Sequence, residues 1–356
     1  ITGGLALSGN YIYVSAKDKV FIVGLRDGGI KGQIEVEGVN GQPWITRSGL
    51  VIPSERKIYV INPSSRTVSL SVGLEGRATS EPLVGEDVVY VPIGTILYAY
   101  SLHTGNLLWK RNLESRVTTR PLDAGGRLCV VTEDGYIVFL DKNTGAILEK
   151  TKHDVMGGPA VPVIMGSKIV VCGFNGRALA LSKSTGKVVS WRYEGDGSAI
   201  LSCSALSDRV VMVTSNGLIV ALDQKGEEIW RAYLDGGAST PPILTKNGVY
   251  VVTTHGTFYG FTKDGGMVWE YPTSFSVTEK MEKVGSMMYT TSRNGTVIAL
   301  STSSCTFTFP EGGTTVAGVD KVRIETDVYA DTPIKGVFIR VHGGAWTEAK
   351  PEDGLY

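Results

Sequence analysis

Charged side chains that could bind a ligand or partner recur in two stretches of the chain, EGRATSEPL and ESRVTTRPL. Arg77 and Arg116 stand at one equivalent position of these stretches, and Glu81 and Arg120 stand at another. A guanidinium presents a planar fork of donors that matches a carboxylate. We therefore expect Glu81 and Arg120 to pair, and the group to form a mixed-charge binding surface.

Three further residues extend this candidate surface. His153 and Asp154 open the next unit of the chain, and Lys280 occupies the position of Glu81 in a later unit. A second interpretation treats all of these as solvated loop residues, because an exposed ion pair contributes at most about 1 kcal/mol. The candidate ligand- or partner-binding residues are Arg77, Glu81, Arg116, Arg120, His153, Asp154 and Lys280.

Patterns typical of catalytic and metal sites are weak. The four histidines are scattered among turns and strand edges, and the carboxylates form no ligand pattern. The glycine-rich pieces GFNG and DGGA are interpreted as turns, because no helix follows them to bind a phosphate. We therefore predict no catalytic residue and no metal ligand.

The four cysteines lack the CxxC spacing of zinc and redox motifs. Each lies in an apolar run, where a buried thiol behaves as a small hydrophobic side chain. A disulfide between Cys172 and Cys203, in neighbouring units, remains an open alternative. Cysteine usage therefore does not decide the compartment.

Composition excludes several classes of partner. The chain has 356 residues, 42% of them hydrophobic, and its 35 basic and 35 acidic residues cancel. A balanced charge creates no general attraction to nucleic acid or to an anionic membrane. No stretch has the run of apolar residues that spans a bilayer. The chain begins at Ile1, so an upstream signal peptide or anchor remains open.

A repeated phrase organises the whole sequence. LYAYSLHTGNLLW, residues 97–109, returns about every 40 residues, and tight turns such as Asn175-Gly176, Asn216-Gly217 and Asn294-Gly295 join the strand-like runs between copies. Each unit contains four short strands, the pattern of a propeller blade. The eight units have their turns near Gly28, Ser65, Gly105, Gly145, Gly186, Gly226, Gly265 and Ser303. The sequence therefore predicts an all-β, eight-bladed β-propeller of four-stranded antiparallel blades.

Four tryptophans follow the turn of their unit and are predicted to dock one blade against the next. A large ring in that groove buries much area while its N–H can still be bonded. Trp191 is displaced by one position, which suggests a bulge. The docking residues are Trp109, Trp191, Trp230 and Trp269.

The turn phrase resembles the tryptophan-docking repeat of the pyrroloquinoline-quinone (PQQ) propeller family, Ala-x-Asp-x-x-Thr-Gly-x-x-x-Trp. Ala99, Thr104, Gly105 and Trp109 match that pattern, and the resemblance extends over residues 3–309. It implies eight blades. WD40 repeats match less well, because the chain has no Trp-Asp pair.

Family members are either PQQ- and calcium-dependent dehydrogenases or non-catalytic assembly and sensor modules. The vicinal cysteine pair and the long inserted loops of many of these enzymes are missing from this sequence. The resemblance therefore implies a non-enzymatic member without a cofactor. PQQ and calcium are expected only under the alternative of a quinoprotein dehydrogenase.

Residues 310–356 break the repeat and alternate like strands. They resemble the beginning of an immunoglobulin- or fibronectin-like domain, and a capping extension of the propeller is the alternative. The predicted domains are thus a propeller over residues 1–309 and this β segment over residues 310–356.

We expect an extracytoplasmic protein that is secreted, periplasmic or anchored at the cell surface. It would act as a monomeric scaffold that binds a protein partner or ligand at one mouth of the propeller, with no nucleic acid. A second alternative, a carbohydrate-binding or lyase-type propeller, requires Trp44 or Tyr193 to be exposed at that mouth.

Overall fold

The computed structural model describes residues 4–302, except 26, 40, 239, 274, 278–279, 286 and 293–295, and four strands beyond residue 302. Every regular element in this described part is a β-strand, paired antiparallel with its neighbour in sequence. The same part of the chain contains no helix long and apolar enough to cross a membrane.

The strands form consecutive sheets in chain order. Blades one to four contain β1 (Leu5–Ser8), β2 (Tyr11–Ala16), β3 (Lys19–Gly24), β4 (Ile30–Glu35), β5 (Trp44–Thr46), β6 (Gly49–Pro53), β7 (Lys57–Asn62), β8 (Thr67–Gly73), β9 (Leu83–Val84), β10 (Val88–Ile93), β11 (Ile96–Ser101), β12 (Leu107–Asn112), β13 (Leu122–Asp123), β14 (Arg127–Val131), β15 (Tyr136–Asp141) and β16 (Ile147–Lys152). Blades five to seven contain β17 (Val163–Met165), β18 (Lys168–Cys172), β19 (Arg177–Ser182), β20 (Val188–Glu194), β21 (Ile200–Ala205), β22 (Arg209–Thr214), β23 (Leu218–Asp223), β24 (Glu228–Tyr233), β25 (Ile243–Leu244), β26 (Gly248–Val252), β27 (Thr257–Thr262) and β28 (Met267–Pro272). The last strands are β29 (Glu282–Val284), β30 (Met287–Thr291), β31 (Val297–Ser301), β32 (Ser304–Phe309), β33 (Glu325–Tyr329), β34 (Phe338–Ile339) and β35 (Thr347–Glu348).

The predicted all-β fold and the eight-bladed propeller are confirmed. Blades one to seven are four-stranded sheets, and β29, β30 and β31 form the eighth. The ring closes because β1 of blade one lies against β29 of blade eight. Beyond the ring, β32 pairs with β33, and β34 pairs with β35. The predicted hairpin at residues 294–295 and most of the predicted immunoglobulin-like segment lie outside the described residues.

The second and third strands of most blades are apolar on both faces. In β10, for example, Val89, Tyr90 and Val91 are consecutive and each is at most 1% exposed. A strand between two neighbouring sheets buries both faces, so its sequence is a continuous apolar run and does not alternate. The fourth strands lie at the rim of the propeller, and their side chains are mostly exposed. The core is therefore a series of apolar layers between blades.

The turn phrase fixes the hairpin between the third and fourth strands. Asp141 accepts hydrogen bonds from the backbone N–H groups of Asn143 and Thr144 at 3.0 and 2.8 Å. Gly145 then adopts a φ of 66°, a left-handed conformation that glycine takes without a steric penalty. In each of the seven four-stranded blades, the pairing between the third and fourth strands shifts register after the turn. In blade five this shift is the bulge that the displaced Trp191 suggested.

Three tryptophans lie against the turn of the following blade. The indole N–H groups of Trp109, Trp191 and Trp230 donate to carbonyl groups of that turn at 3.3, 3.1 and 2.9 Å. Each ring covers the turn glycine so closely that a Cβ there would lie within 2.5 Å of the ring. Trp269 packs instead on Gly260 of its own blade and on the layer toward blade eight. These rings set the spacing between blades.

The junction of blades eight and one is open. A groove of about 1010 Å³ is lined by apolar side chains of both blades, among them Val14, Phe21, Met287 and Tyr289. Gly28, the turn glycine of blade one, lies in this groove with no atom within 4 Å of an added Cβ. At Gly145, Gly226 and Gly265 the corresponding space is filled by a tryptophan ring, whereas Gly105 is covered by Leu70 and Gly186 by the ring of Phe139.

Candidate functional site

A cation–aromatic cluster occupies the mouth of the propeller, where the chain enters the inner strands. Arg120 pairs with Glu81 at 3.3 Å, the pairing expected from the sequence, and its guanidinium lies 5.2 Å from the centre of the Trp44 ring. Lys280 approaches the same ring at 5.9 Å and pairs with Glu282 at 3.0 Å. A cation near a tryptophan ring gains about 0.5–1 kcal/mol at an exposed site. Blades two, three, four and eight thus meet at one mouth cluster.

Trp44 is the centre of this cluster and was not among the candidate site residues. Its side chain is half-buried, and its indole N–H is buried without a hydrogen-bond partner among the described residues. A pocket of about 320 Å³ beside it is lined by Gln42, Lys280 and Glu282. Gln42 donates to Glu282 at 3.0 Å and to the carbonyl of Leu5 at 3.2 Å, so it also ties blade two across the ring closure.

The outer candidate residues do not form one cluster. Arg77 pairs with Glu55 of the preceding blade at 3.1 Å, and both are exposed. Arg116 is exposed, and the described residues include no ion pair to its side chain. Asp154 pairs with Arg177 of its own blade. The ion pairs of the described residues therefore join Arg77, Arg116 and Asp154 neither to the mouth cluster nor to one another.

An exposed apolar pair lies in blade five, on the same face of the propeller as the mouth cluster. Met156 is 53% exposed and Phe174 is 54% exposed. The backbone N–H of Phe174 donates to the carbonyl of Met156 at 2.9 Å, which holds the two residues side by side. We call Met156 and Phe174 the blade-five patch.

The equivalent backbone hydrogen bond of other blades identifies the residues that they place at these two positions. In blade four the N–H of Glu133 donates to the carbonyl of Arg116, and in blade two the N–H of Glu55 donates to that of Gly38. Met156 therefore takes the place of Arg116, and Phe174 takes the place of an acidic hairpin residue. Blade five carries two apolar side chains where its neighbour carries two charges.

Charged groups flank the blade-five patch. Arg177 contacts Asp154 and also pairs with Glu194 at 2.7 Å. His153 precedes this network, and its Nε2 is buried without a hydrogen-bond partner among the described residues. Burial, and secondarily the charge of Arg192, lowers the pKa of His153. An apolar centre with a charged rim is the usual composition of a protein-binding surface.

A hydroxyl–imidazole–carboxylate chain lies on the opposite face. Ser48 Oγ is 3.4 Å from His103 Nδ1, and His103 Nε2 is 3.0 Å from Asp87 Oδ1. His103 and Asp87 are well exposed, and the nearby N–H of Arg47 already donates to the carboxylate of Glu86 at 3.0 Å. These turns join blades two and three, so we interpret the arrangement as a contact that docks one blade on the other. Nucleophilic catalysis would also need N–H groups free to stabilise an oxyanion.

The remaining predictions meet different outcomes. In the described part of the chain, no three His, Cys, Asp or Glu side chains are grouped as metal ligands, and the absence of a cofactor stays a prediction. Trp44 borders a mouth pocket, whereas Tyr193 packs on the apolar layer between blades five and six. Of the two aromatic side chains named for the carbohydrate-binding alternative, Trp44 therefore lies at a mouth and Tyr193 does not.

The blade-five patch left a signal in the sequence. The hairpins TEDG, TSNG and TTHG carry polar residues before the turn, whereas blade five has GFNG, in which Phe174 interrupts the pattern. Trp44 left no such signal. Its partners Arg120 and Lys280 were candidates because they occupy equivalent positions of their units, but their meeting on this ring joins positions far apart in the chain.

The fold and these surfaces define a β-propeller that presents several candidate binding surfaces on its faces. The family model described as outer membrane protein assembly factor BamB matches residues 54–198 and 189–321, and the chain belongs to this family.

Relatives agree with this assignment. The chain is 25% identical over 299 residues to the outer membrane protein assembly factor BamB of Yersinia pestis, covering 74% of this chain and 72% of the relative. It is 23% identical over 228 residues to that of Moranella endobia, where the match spans 59% of this chain and only 58% of the relative. The crystal structure of BamB from Moraxella catarrhalis superposes with a TM-score of 0.71 at 18% identity, covering 83% of this chain and 95% of the other. A computationally designed protein, Ika8, shares the fold with a TM-score of 0.73 at 16% identity.

Proposed function

We propose that this chain is a non-enzymatic scaffold of an outer membrane protein assembly machinery and that it binds a protein partner through the blade-five patch. The exposure of Met156 and Phe174 carries the proposal, because blades two, four, six and seven place charged, hydroxyl-bearing or small residues at these two positions. The name of the relatives, outer membrane protein assembly factor, supports the class of partner. An extracytoplasmic location belongs to the same proposal.

The energetics favour this patch over the mouth cluster. Binding that buries exposed aromatic and methionine side chains gains a free energy of about 25 cal/mol for each Å² of apolar surface removed from water. Interfaces are enriched in aromatic residues and methionine, and a few such residues supply most of the binding energy. The charges of the mouth cluster are already paired, so a partner would have to break those ion pairs before it gained contacts.

Site-specific crosslinking tests the proposal. A photoreactive residue at position 174 should trap one protein of the assembly machinery in cells, whereas the same residue at position 108 should not. Leu108 is a matched control, since it is 51% exposed on the rim strand β12.

The trapped protein, once purified, is then titrated against variants. Met156→Ser and Phe174→Ser should each weaken binding by about tenfold or more, because truncating a central interface residue costs about 2 kcal/mol. Leu108→Ser should bind like the wild type. Unchanged binding by both patch variants, or a loss caused by Leu108→Ser, would refute the assignment.

A further inference from the structure

Two cysteines of neighbouring blades meet in one buried layer. Cys172 ends β18 of blade five, and Cys203 lies in β21, the inner strand of blade six. Their side chains are 1% and 3% exposed and share an apolar cluster with Ala178 and Met212. Cα atoms of β18 and β21 approach within 8 Å.

The orientation of the two thiols brings them together. Cys203 Sγ donates to the carbonyl of Val161 in blade five at 3.2 Å, so it points across the blade boundary. Both are free thiols in this structure, and a hydrogen bond with Cys203 is the largest cause that raises the pKa of Cys172 well above its ordinary value. Burial adds to the same shift. Cys129 is equally buried, but burial alone raises its pKa, to about 12.

We propose that Cys172 and Cys203 form a disulfide that links blades five and six. The oxidant is a disulfide, either a small molecule or a protein. One cysteine thiolate attacks a sulfur of the oxidant and expels one thiolate; the other cysteine thiolate attacks the resulting mixed disulfide and expels the second. Two protein thiols lose two protons and two electrons, and the oxidant becomes two thiols. This bridge is independent of the proposed partner binding.

The bond forms while the chain folds. The thiolate is the reacting species, and both burial and the raised pKa suppress it at Cys172 in the folded protein. Before blades five and six dock, both thiols are accessible to the oxidant. Docking then buries the finished bond in an apolar layer, where reductants reach it slowly.

Peptide mapping tests this inference. The reduced, unfolded chain is refolded with reduced and oxidised glutathione, quenched, alkylated in denaturant and digested with trypsin. The expected product joins residues 169–177 to residues 193–209 and disappears after reduction. The variant Cys129→Ala/Cys305→Ala should form the same link and lose two hydrogens in mass. Free thiols at both positions, or a link through Cys129, would overturn the proposal.

Two further measurements separate a bridge from a packed thiol pair. The oxidised protein should melt several degrees above the reduced protein, and this difference should vanish in Cys172→Ala while surviving in Cys129→Ala. Adding the same oxidant to folded, reduced protein should form the bond at least tenfold more slowly than during refolding. An equal rate would overturn the assignment of bond formation to folding.

Discussion

Replacing Trp230 by alanine should remove a major stabilising contact between blades six and seven. The ring is 8% exposed, stacks on Phe261 with centroids 5.7 Å apart, and covers Gly265. Its N–H donates to the carbonyl of Lys263 at 2.9 Å. The substitution therefore opens a cavity in the layer between the blades and leaves that carbonyl without this donor.

Two estimates of the free energy lost on this substitution agree, one from buried area and one from comparable core substitutions. A buried aromatic side chain covers about 150–250 Å², which corresponds to about 4–6 kcal/mol at 25 cal/mol per Å² before the contribution of the alanine methyl group is subtracted. Tryptophan-to-alanine changes in cores cost about 3–5 kcal/mol. We expect Trp230→Ala to lower the free energy of unfolding by about 4 kcal/mol. Trp230→Phe keeps a ring and should lower it by about 1–2 kcal/mol.

Urea unfolding, followed by circular dichroism, measures these differences. Hydrogen exchange of the amides in β23, β24 and β26 shows whether the loss is local to the two blades. Ile229→Ala is the control, because Ile229 precedes Trp230 on β24 and is 43% exposed. It should cost less than about 1 kcal/mol.

Two results would refute the reasoning. If Trp230→Ala were no more destabilising than Ile229→Ala, the ring would not set the docking of the blades. If Trp230→Phe were as destabilising as Trp230→Ala, the hydrogen bond to Lys263 would outweigh the ring contacts.

Three further predictions concern buried polar and backbone features. Arg209→Ala should cost about 2–4 kcal/mol, measured by urea unfolding, because its buried guanidinium donates to three backbone carbonyls of blade seven at 3.1–3.4 Å. Gly256→Ala should cost more than about 1 kcal/mol in the same assay, since its φ is +90° and an added Cβ would lie 1.9 Å from the carbonyl oxygen of Phe275. His153 has a lowered pKa when folded, so the unfolded chain binds the proton first as the pH falls below 6.5, and stability decreases there. Melting temperatures between pH 7.5 and about 5 should therefore fall less steeply in His153→Gln, and an identical slope would exclude this histidine as the cause.

The propeller could be predicted from the sequence because each blade repeats short-range rules. Asp141 and Gly145 lie within one turn, so capping and the left-handed φ follow from their spacing alone. Trp109 docks on the next blade's copy of the same turn, so its contact follows from the repeat. The pairing of Glu81 with Arg120 could be predicted for the same reason, since equivalent positions of consecutive blades are neighbours.

The mouth cluster could not be predicted in the same way. Trp44 meets Arg120 across an intervening blade and meets Lys280 across the closure of the ring. Which side chains reach across depends on the curvature of the closed ring and on the length and rotamer of each side chain. Repeat spacing contains none of that information.

The sequence by itself determined the strands of the ring, the turns, the number of blades and three of the tryptophans that dock adjacent blades, because local hydrogen bonding and side-chain burial decide them within one or two repeats. Only the tertiary structure placed Met156 beside Phe174, directed the thiol of Cys203 toward blade five, and paired Asp154 with Arg177. These contacts depend on how loops from two strands fold over the edge between blades. Loop conformation varies from blade to blade even where the repeat is kept, and this variation decides which surface is available for a partner.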